Sequence, residues 1–423
     1  MFCDLRIVLR APLFTLVCLT SALSLLPQGG QGQSLGRAVL LGASRDPEVA
    51  ALRQDVARET SNIEIEKDAR RPQFSLSGDV DEDEGYDLGI AVTVSQLLFD
   101  WGLSQSQIDA ATANRVKVVA NLKAAVEDLT LEIAELYFDL DTISRKMRRT
   151  VDYVAFARRI AKYSADRVVA GVAGNAETSR ARLEIARAEQ LMFQLESDRQ
   201  NALAELEYRL GPTSGAKPAP PRLSFIDAFA SSRNVIEAVM NAPEYIAARA
   251  DVSIAEAGVR AAKASRKPTL KLQAQGRQDL TGGRGRSGSV GLTAGVDLTS
   301  SGFRGRAVIA AEQSLRAAVQ RLTGVERDLQ NEARFYRQNL RALTVSAQSL
   351  AGQVGDAQKV LDDYEQQFVV GQRELVDLLL TARDLYDAEI EEIDTRHELL
   401  RTEYEAAHSV GMLGTMLLGT QGN

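Results

Sequence analysis

The chain carries one hydrophobic ruler twice, 200 residues apart, so it must fold as two related halves dominated by long helices. Val126, Leu129, Ile133, Leu136, Leu140, Ile143 and Met147 advance in steps of 3 and 4, and the positions 200 further on are Glu326, Leu329, Ala333, Tyr336, Leu340, Leu343 and Ala347. The ruler continues through Val154, Ala157, Ala161 and Val168 and their counterparts Val354, Ala357, Leu361 and Phe368, with one break at Glu326. A heptad kept over so many turns predicts coiled-coil helices. Upstream, Arg71-Pro72 matches Lys267-Pro268 and Asp55-Val56 matches Asp251-Val252 at an offset of 196, so four residues enter between the two blocks.

Phe, Trp and Tyr make up only 5% of the 423 residues, which favours alanine-rich helices over a compact aromatic core. Arg6 and Arg10 precede an apolar run from Ala11 to Leu26 and a small polar stretch, the layout of a secretory signal peptide over residues 1–32. The run is shorter than the roughly 20 residues a spanning helix needs. Both cysteines, Cys3 and Cys18, fall inside it, so disulfides and thiol chemistry are not expected in the mature chain. Its removal takes two Arg and one Asp, moving the formal charge from -7 to one unit more negative, an acidity that argues against nucleic acid as a partner.

Between the helical blocks the period changes from 3.5 to 2. Leu88, Ile90, Val92 and Val94 alternate with small or polar residues, as do Phe74, Leu76 and Val80. The second half repeats this with Leu270, Leu272 and Ala274, then Val290, Leu292, Ala294, Val296 and Leu298. Each half therefore holds a hairpin, over 72–99 and 268–299, with one apolar face. That face could pack on a second sheet in a soluble sandwich or face lipid in an outer-membrane barrel. Phe99, Trp101 and Phe303 stand where the strands run into the helices, as interfacial aromatics would. Four strands cannot close a barrel and open edges are excluded from a bilayer, so several chains must share one. Three copies give an even twelve.

The long helices, 102–170 and 303–370, would each reach roughly 100 Å at 1.5 Å per residue. Shorter helices over 46–69 with 177–209, and 243–266 with 374–412, stacked end to end nearly match them. Residues 33–210 and 243–423 then form two structural repeats, joined over 211–242 by a Pro- and Gly-rich linker and a short equatorial helix.

At this point the chain resembles the TolC family of outer-membrane export channels. The resemblance rests on Ser95-Gln-Leu-Leu-Phe-Asp-Trp-Gly102 followed by Ile108-Asp109-Ala110-Ala111, on the glycine turns, and on Phe368-Val-Val-Gly-Gln-Arg-Glu-Leu-Val-Asp-Leu-Leu380 running into Leu385-Tyr386-Asp387-Ala388. It implies a mainly α fold with β: a trimeric, twelve-stranded outer-membrane β-barrel, four strands per chain, continuing into a long periplasmic α-helical coiled-coil barrel. It implies a passive exit duct served by a periplasmic adaptor (membrane fusion) protein and an inner-membrane ABC or RND-type pump. The Phe-Asp-Trp-Gly turn looks more like the type I secretion branch, including exporters of large adhesins, than the multidrug efflux branch. In that family acidic rings stand where the helix turns meet at the tunnel's inner end. Asp377 and Glu177 each stand six residues after a turn glycine, Gly371 and Gly171, and match that aperture. Arg373 matches a latching arginine, with Glu177 or a neighbouring turn acid as its expected partner, Phe368 replaces a tyrosine of the latch, and Leu380 stands where a second acidic ring often has Asp.

No catalytic, metal or cofactor set can be assembled. His397 and His408 share a helix face without a third ligand type and suit a surface or seam. Asp79 to Asp87 misplaces the glycine of a calcium loop and ends on Ile90 rather than Glu, leaving an acidic loop. Gly282 to Gly288 is too basic and wrongly flanked for a phosphate loop and suits a hairpin tip. Two readings follow: the outer-membrane duct, and a secreted, non-channel coiled-coil protein whose hairpins form a soluble cap. Lipid-compatible alternation in all four strands favours the duct.

Overall fold

The computed structural model describes residues 34–81, 87–171, 174–212, 219–223, 232–280, 286–295 and 305–419. The signal segment, Phe303, the centre of the acidic loop, the tip containing Arg284 and the end of the second hairpin lie outside them.

In chain order come α1 Leu35–Arg45, α2 Pro47–Asp68, β1 Gln73–Asp81, β2 Asp87–Phe99, α3 Leu103–Val169, α4 Asn175–Leu210, α5 Ser232–Asn241, α6 Pro243–Ala264, β3 Thr269–Asp279, β4 Arg286–Gly295, α7 Arg306–Val369, α8 Leu375–Ser409 and α9 Leu413–Gly419. Local chemistry sets the breaks. Pro47 opens α2 behind Asp46, whose carboxylate accepts from the Val49 N–H at 2.8 Å, so α1 and α2 stay separate. The sequence reading lacked α1, which buries Leu35 and Ala38 and brings Gly42 so close to Ile133 that a Cβ would stand 2.6 Å from that side chain. The helix expected to run to 412 stops at Ser409. Gly411, at φ 64°, turns the chain left-handed, its N–H and that of Met412 bond back to His408 and Ala407, and α9 follows. Glu127 of α3 then accepts from the Gly414 N–H and caps α9; burial holds its carboxyl above the ordinary range against that hydrogen bond.

The four strands form one antiparallel sheet in the order β1-β2-β3-β4. The register sets Leu76 opposite Val92, Val94 opposite Ala274 and Leu272 opposite Leu292, so the apolar residues of all four strands share one face. A shift between Leu97 and Phe99 returns Phe99 to this face, opposite Leu270. The face is open to its surroundings: Phe74 is 75% exposed, Leu76 73%, Val290 76% and Leu292 62%. Thr93 and Thr293 point the other way.

Beyond the sheet, α3 and α7 run 67 and 64 residues, about 100 Å each. The repeated ruler is their core stripe, with Leu129, Ile133 and Leu140 buried on α3 and Leu329, Ala333 and Leu340 buried on α7. In the middle, Tyr137, Phe138, Leu206, Leu340 and Tyr404 join a cluster that also takes in α1, α5 and α9. Toward the turns, Phe156, Ile160, Phe368, Leu375, Leu378 and Tyr386 form a second one. Within one chain α3 packs on α4, α7 on α8, and α3 also on α8. This last seam is polar: Asp128 meets His408 at 2.6 Å, Glu135 meets Arg401 at 3.2 Å, Lys146 meets Asp394 at 2.5 Å and Arg149 meets Glu389 at 3.4 Å. Both histidines are seam residues, and among the described residues no His, Cys, Asp and Glu cluster could hold a metal.

Val92→Lys or Leu292→Lys places an ammonium on the open apolar face and should cost about 2 to 4 kcal/mol where that face lies at the midplane of a bilayer. Thr93→Lys should be tolerated. Urea titration of protein folded in lipid vesicles reads both, and equal losses on the two faces would contradict a lipid-facing assignment.

Candidate functional site at the inner helical turns

The long helices end alike. Gly171 and Gly371 take φ values of 74° and 79° after Val169 and Val369, and a Cβ at either would meet nothing within 4 Å. The left-handed backbone, not crowding, calls for glycine there. The Gly171 N–H bonds to the Val168 carbonyl at 3.0 Å, and those of Gly371 and Gln372 bond to Phe368 and Gln367 at 3.0 and 2.8 Å. The two turns lie together. Arg159 of α3 sets a two-pronged grip on Glu365 of α7 at 3.0 and 2.9 Å, while Arg167 lies 4.9 Å over the Phe368 ring and donates to its carbonyl.

Each turn then holds one arginine and one carboxylate, in exchanged positions. Before Gly171 stands Arg167, whose Nε lies 3.9 Å from Glu177. Its repeat counterpart is Gln367, and the second turn carries its arginine after the glycine, as Arg373, where the first turn has Ala173. Arg373 lies 3.9 Å over the Tyr364 ring, donates to Gln367 Oε1 at 3.2 Å and stands 3.6 Å from Asp377. Within the chain the turn acid nearest Arg373 is Asp377, while Arg167 is the cation nearest Glu177. Phe368 is 1% exposed within the chain, packed beneath Arg167 against Leu375 and Leu378, and Tyr364 is the aromatic that meets Arg373. Asp377 is about half exposed, and Leu380, 52% exposed, leaves the second acidic position uncharged.

One buried group was missed from sequence. Glu184, 8% exposed and seven residues after Glu177, accepts from the Tyr153 hydroxyl at 2.6 Å and faces Arg187 and Arg383 at 3.4 and 3.9 Å. Burial, then the hydrogen bond to Glu184, push the Tyr153 hydroxyl far above its ordinary pKa. Tyr153 also stacks on Tyr386 at 4.8 Å, tying α3, α4 and α8 one layer above the turns. The heptad step from Glu177 was its only sequence signal.

At the other end, Trp101 is held in a positive-φ conformation, 60°, between Phe99, 4.9 Å away edge to face, and Lys267, 4.4 Å over its ring. Its indole N–H donates to the Pro268 carbonyl at 2.9 Å, joining the two repeats. Asp100 accepts from the Gly102 and Ser104 N–H groups at 3.1 and 2.7 Å and so starts α3. Phe99 and Trp101 remain about half exposed at the foot of the sheet.

The architecture has close counterparts. An outer membrane protein, VceC of Vibrio cholerae, superposes with a TM-score of 0.77 at 16% identity over 89% of this chain and 96% of its own. The open-state MtrE outer membrane channel of Neisseria gonorrhoeae does so at 0.75, with 17% identity and 90% of each chain. In sequence, the outer membrane efflux protein BepC of Brucella suis is 22% identical over 95% of this chain and 91% of its own, and protein CyaE of Bordetella pertussis is 28% identical over 55% of this chain and 50% of its own. Residues 42–212 and 235–411 match the family described as outer membrane efflux protein, the two halves of the duplicated plan. The chain belongs to the outer membrane efflux protein family, the TolC-type channels of the outer membrane that extend into the periplasm.

Proposed function

We propose that three copies of this channel protein close one barrel, twelve strands round, and that the paired glycine turns form the inner mouth of the duct. Members of this family are channels of tripartite export systems, not enzymes. A passive role suits the chain, whose sequence offers no phosphate loop to draw on nucleotide energy. One observation supports assembly from several copies, with the number three following from the family: the sheet is open, with β1 and β4 each paired on one side only, while its apolar face is exposed. In a bilayer those edges must be paired, and copies of the same sheet supply the partners. An adaptor and an inner-membrane pump follow from the family alone. The type I secretion branch rests on the Phe-Asp-Trp-Gly turn, and the duct itself is common to both branches.

At the mouth three copies would bring three Glu177 and three Asp377, each with its own arginine. The ring is then close to neutral at rest, and opening it would separate arginine from acid or carry both outward together. The apolar tips Val169, Val369 and Val370, all more than 60% exposed, give a docking adaptor a surface that costs little to desolvate.

The test begins with assembly: a trimer should persist in mild detergent, and a stable monomer with four folded strands would sink the reading. Arg373→Glu should raise conductance and cation selectivity in planar bilayers, since it removes the countercharge of Asp377 and adds an acid. Asp377→Asn should shift selectivity the opposite way. Neither should unfold the protein, because a half-exposed pair of this kind contributes under about 1 kcal/mol. Unchanged currents in both variants would remove these turns from the conducting path.

A further inference from the structure

The duplication places a basic pair at the foot of each hairpin, Arg70-Arg71 before Pro72 and Arg266-Lys267 before Pro268. Both pairs stand beside the start of α3. Arg70 donates to Gln105 in the first turn of that helix at 2.9 Å, and Lys267 lies over the Trp101 ring, whose indole N–H holds the Pro268 carbonyl. All four basic side chains are exposed. One to two turns farther from the sheet the cations of α6 are paired, Arg260 with Asp109 at 2.9 Å and Lys263 with Glu312 at 3.1 Å. At the foot the pairing stops. Among the described residues Arg70, Arg266 and Lys267 form no ion pair, and only Arg71 has one, with Asp68 at 2.7 Å. The other acid here, Asp100, is engaged by the N–H groups that start α3. Four cations against Asp68 and Asp100 leave an excess of two per chain.

We propose that these feet bind the phosphate of an anionic phospholipid, whose acyl chains lie on the apolar face of the sheet. The proposal rests on the lipid-facing reading of that face and adds the headgroup it selects. A phosphodiester presents negatively charged oxygens that only accept, and so suits guanidinium and ammonium donors that lack an acid. The Lys267 ammonium keeps N–H donors free while it rests on Trp101. A headgroup ending in its own ammonium, as in phosphatidylcholine, would return a cation to a site that already has an excess of them. The feet therefore favour phosphatidylglycerol, drawn in as basic residues beside a bilayer draw anionic lipid. Free phosphate offers the same oxygens but nothing to cover Phe74 and Phe99, which are 75% and 51% exposed just above the feet, so the lipid is the better ligand.

Trp101 is the only tryptophan in the chain, so its fluorescence reports from the site itself. The full-length protein is folded into vesicles of one composition, phosphatidylcholine with a minor fraction of phosphatidylglycerol. Bromine is carried on the acyl chains of that fraction or of an equal fraction of phosphatidylcholine, and each protein is referred to its own unbrominated vesicles. Brominated phosphatidylglycerol should quench Trp101 at least about threefold more than brominated phosphatidylcholine. Arg266→Gln with Lys267→Gln should make the two lipids equal, while Arg266→Lys with Lys267→Arg keeps the preference. Arg70→Gln leaves the Lys267–Trp101 contact in place and should lower the preference partway, so the readout survives even if the double variant misfolds. Inorganic phosphate, matched in ionic strength against sodium chloride, should leave the preference unchanged. Equal quenching in the unaltered protein, or a preference that survives loss of both charges, overturns the site. Loss of the preference to inorganic phosphate assigns the feet to a free anion and overturns the lipid. No quenching by either lipid overturns the lipid-facing reading itself.

Discussion

Backbone hydrogen bonding in a medium without water is the constraint on which the rest of this molecule depends. The sheet satisfies every interior strand but leaves β1 and β4 with one unpaired row each. A single chain therefore cannot finish its own membrane segment. The same incompleteness shows in the apolar face of the sheet, which lacks a cover within the chain.

The two ends solve opposite problems with related chemistry. At the sheet, Trp101 is pinned in an unfavourable backbone conformation by its indole hydrogen bond, its ring contact with Phe99 and the Lys267 ammonium, so the strand-to-helix passage is rigid. At the turns the backbone strain is taken by Gly171 and Gly371, and the arginines lie over aromatic rings instead, Arg167 on Phe368 and Arg373 on Tyr364. A guanidinium stacked on a ring keeps its donors free at the edge and can exchange one acid for another without losing the stack.

Much of this was legible in the sequence because the signal repeats. The period of the helices, the alternation of the strands and the positions of Gly171 and Gly371 each occur twice, and they led to the fold class. What escaped was written once or in three dimensions. α1 has no counterpart and is marked off only by Asp46-Pro47. The α8 break at Gly411 was hidden because a heptad pattern reads through one glycine. Arg167 was overlooked because the family pattern places the arginine after the turn glycine, and only the packing of α3 against α7 brings Arg167 within reach of Phe368 and Glu177. Glu184 looked like a solvated acid until α3 and α8 closed over it.

The polar α3–α8 seam bears on a hazard peculiar to duplicated chains, which is confusion between their own halves. α4 and α8 are repeat counterparts of similar length, and during synthesis α3 and α4 leave the ribosome long before α8 exists. The charges tell them apart: where α8 presents Asp394 and Arg401 to α3, α4 has Gln194 and Asn201, which leave Lys146 and Glu135 without countercharges. A neighbouring chain that offered its α4 to this face would strand those ions against neutral side chains, a mismatch that disfavours the wrong pairing more than it strengthens the right one. The divergence of the two halves thus acts as an address, letting each α3 recognise its own second half in a periplasm crowded with identical strands and helices.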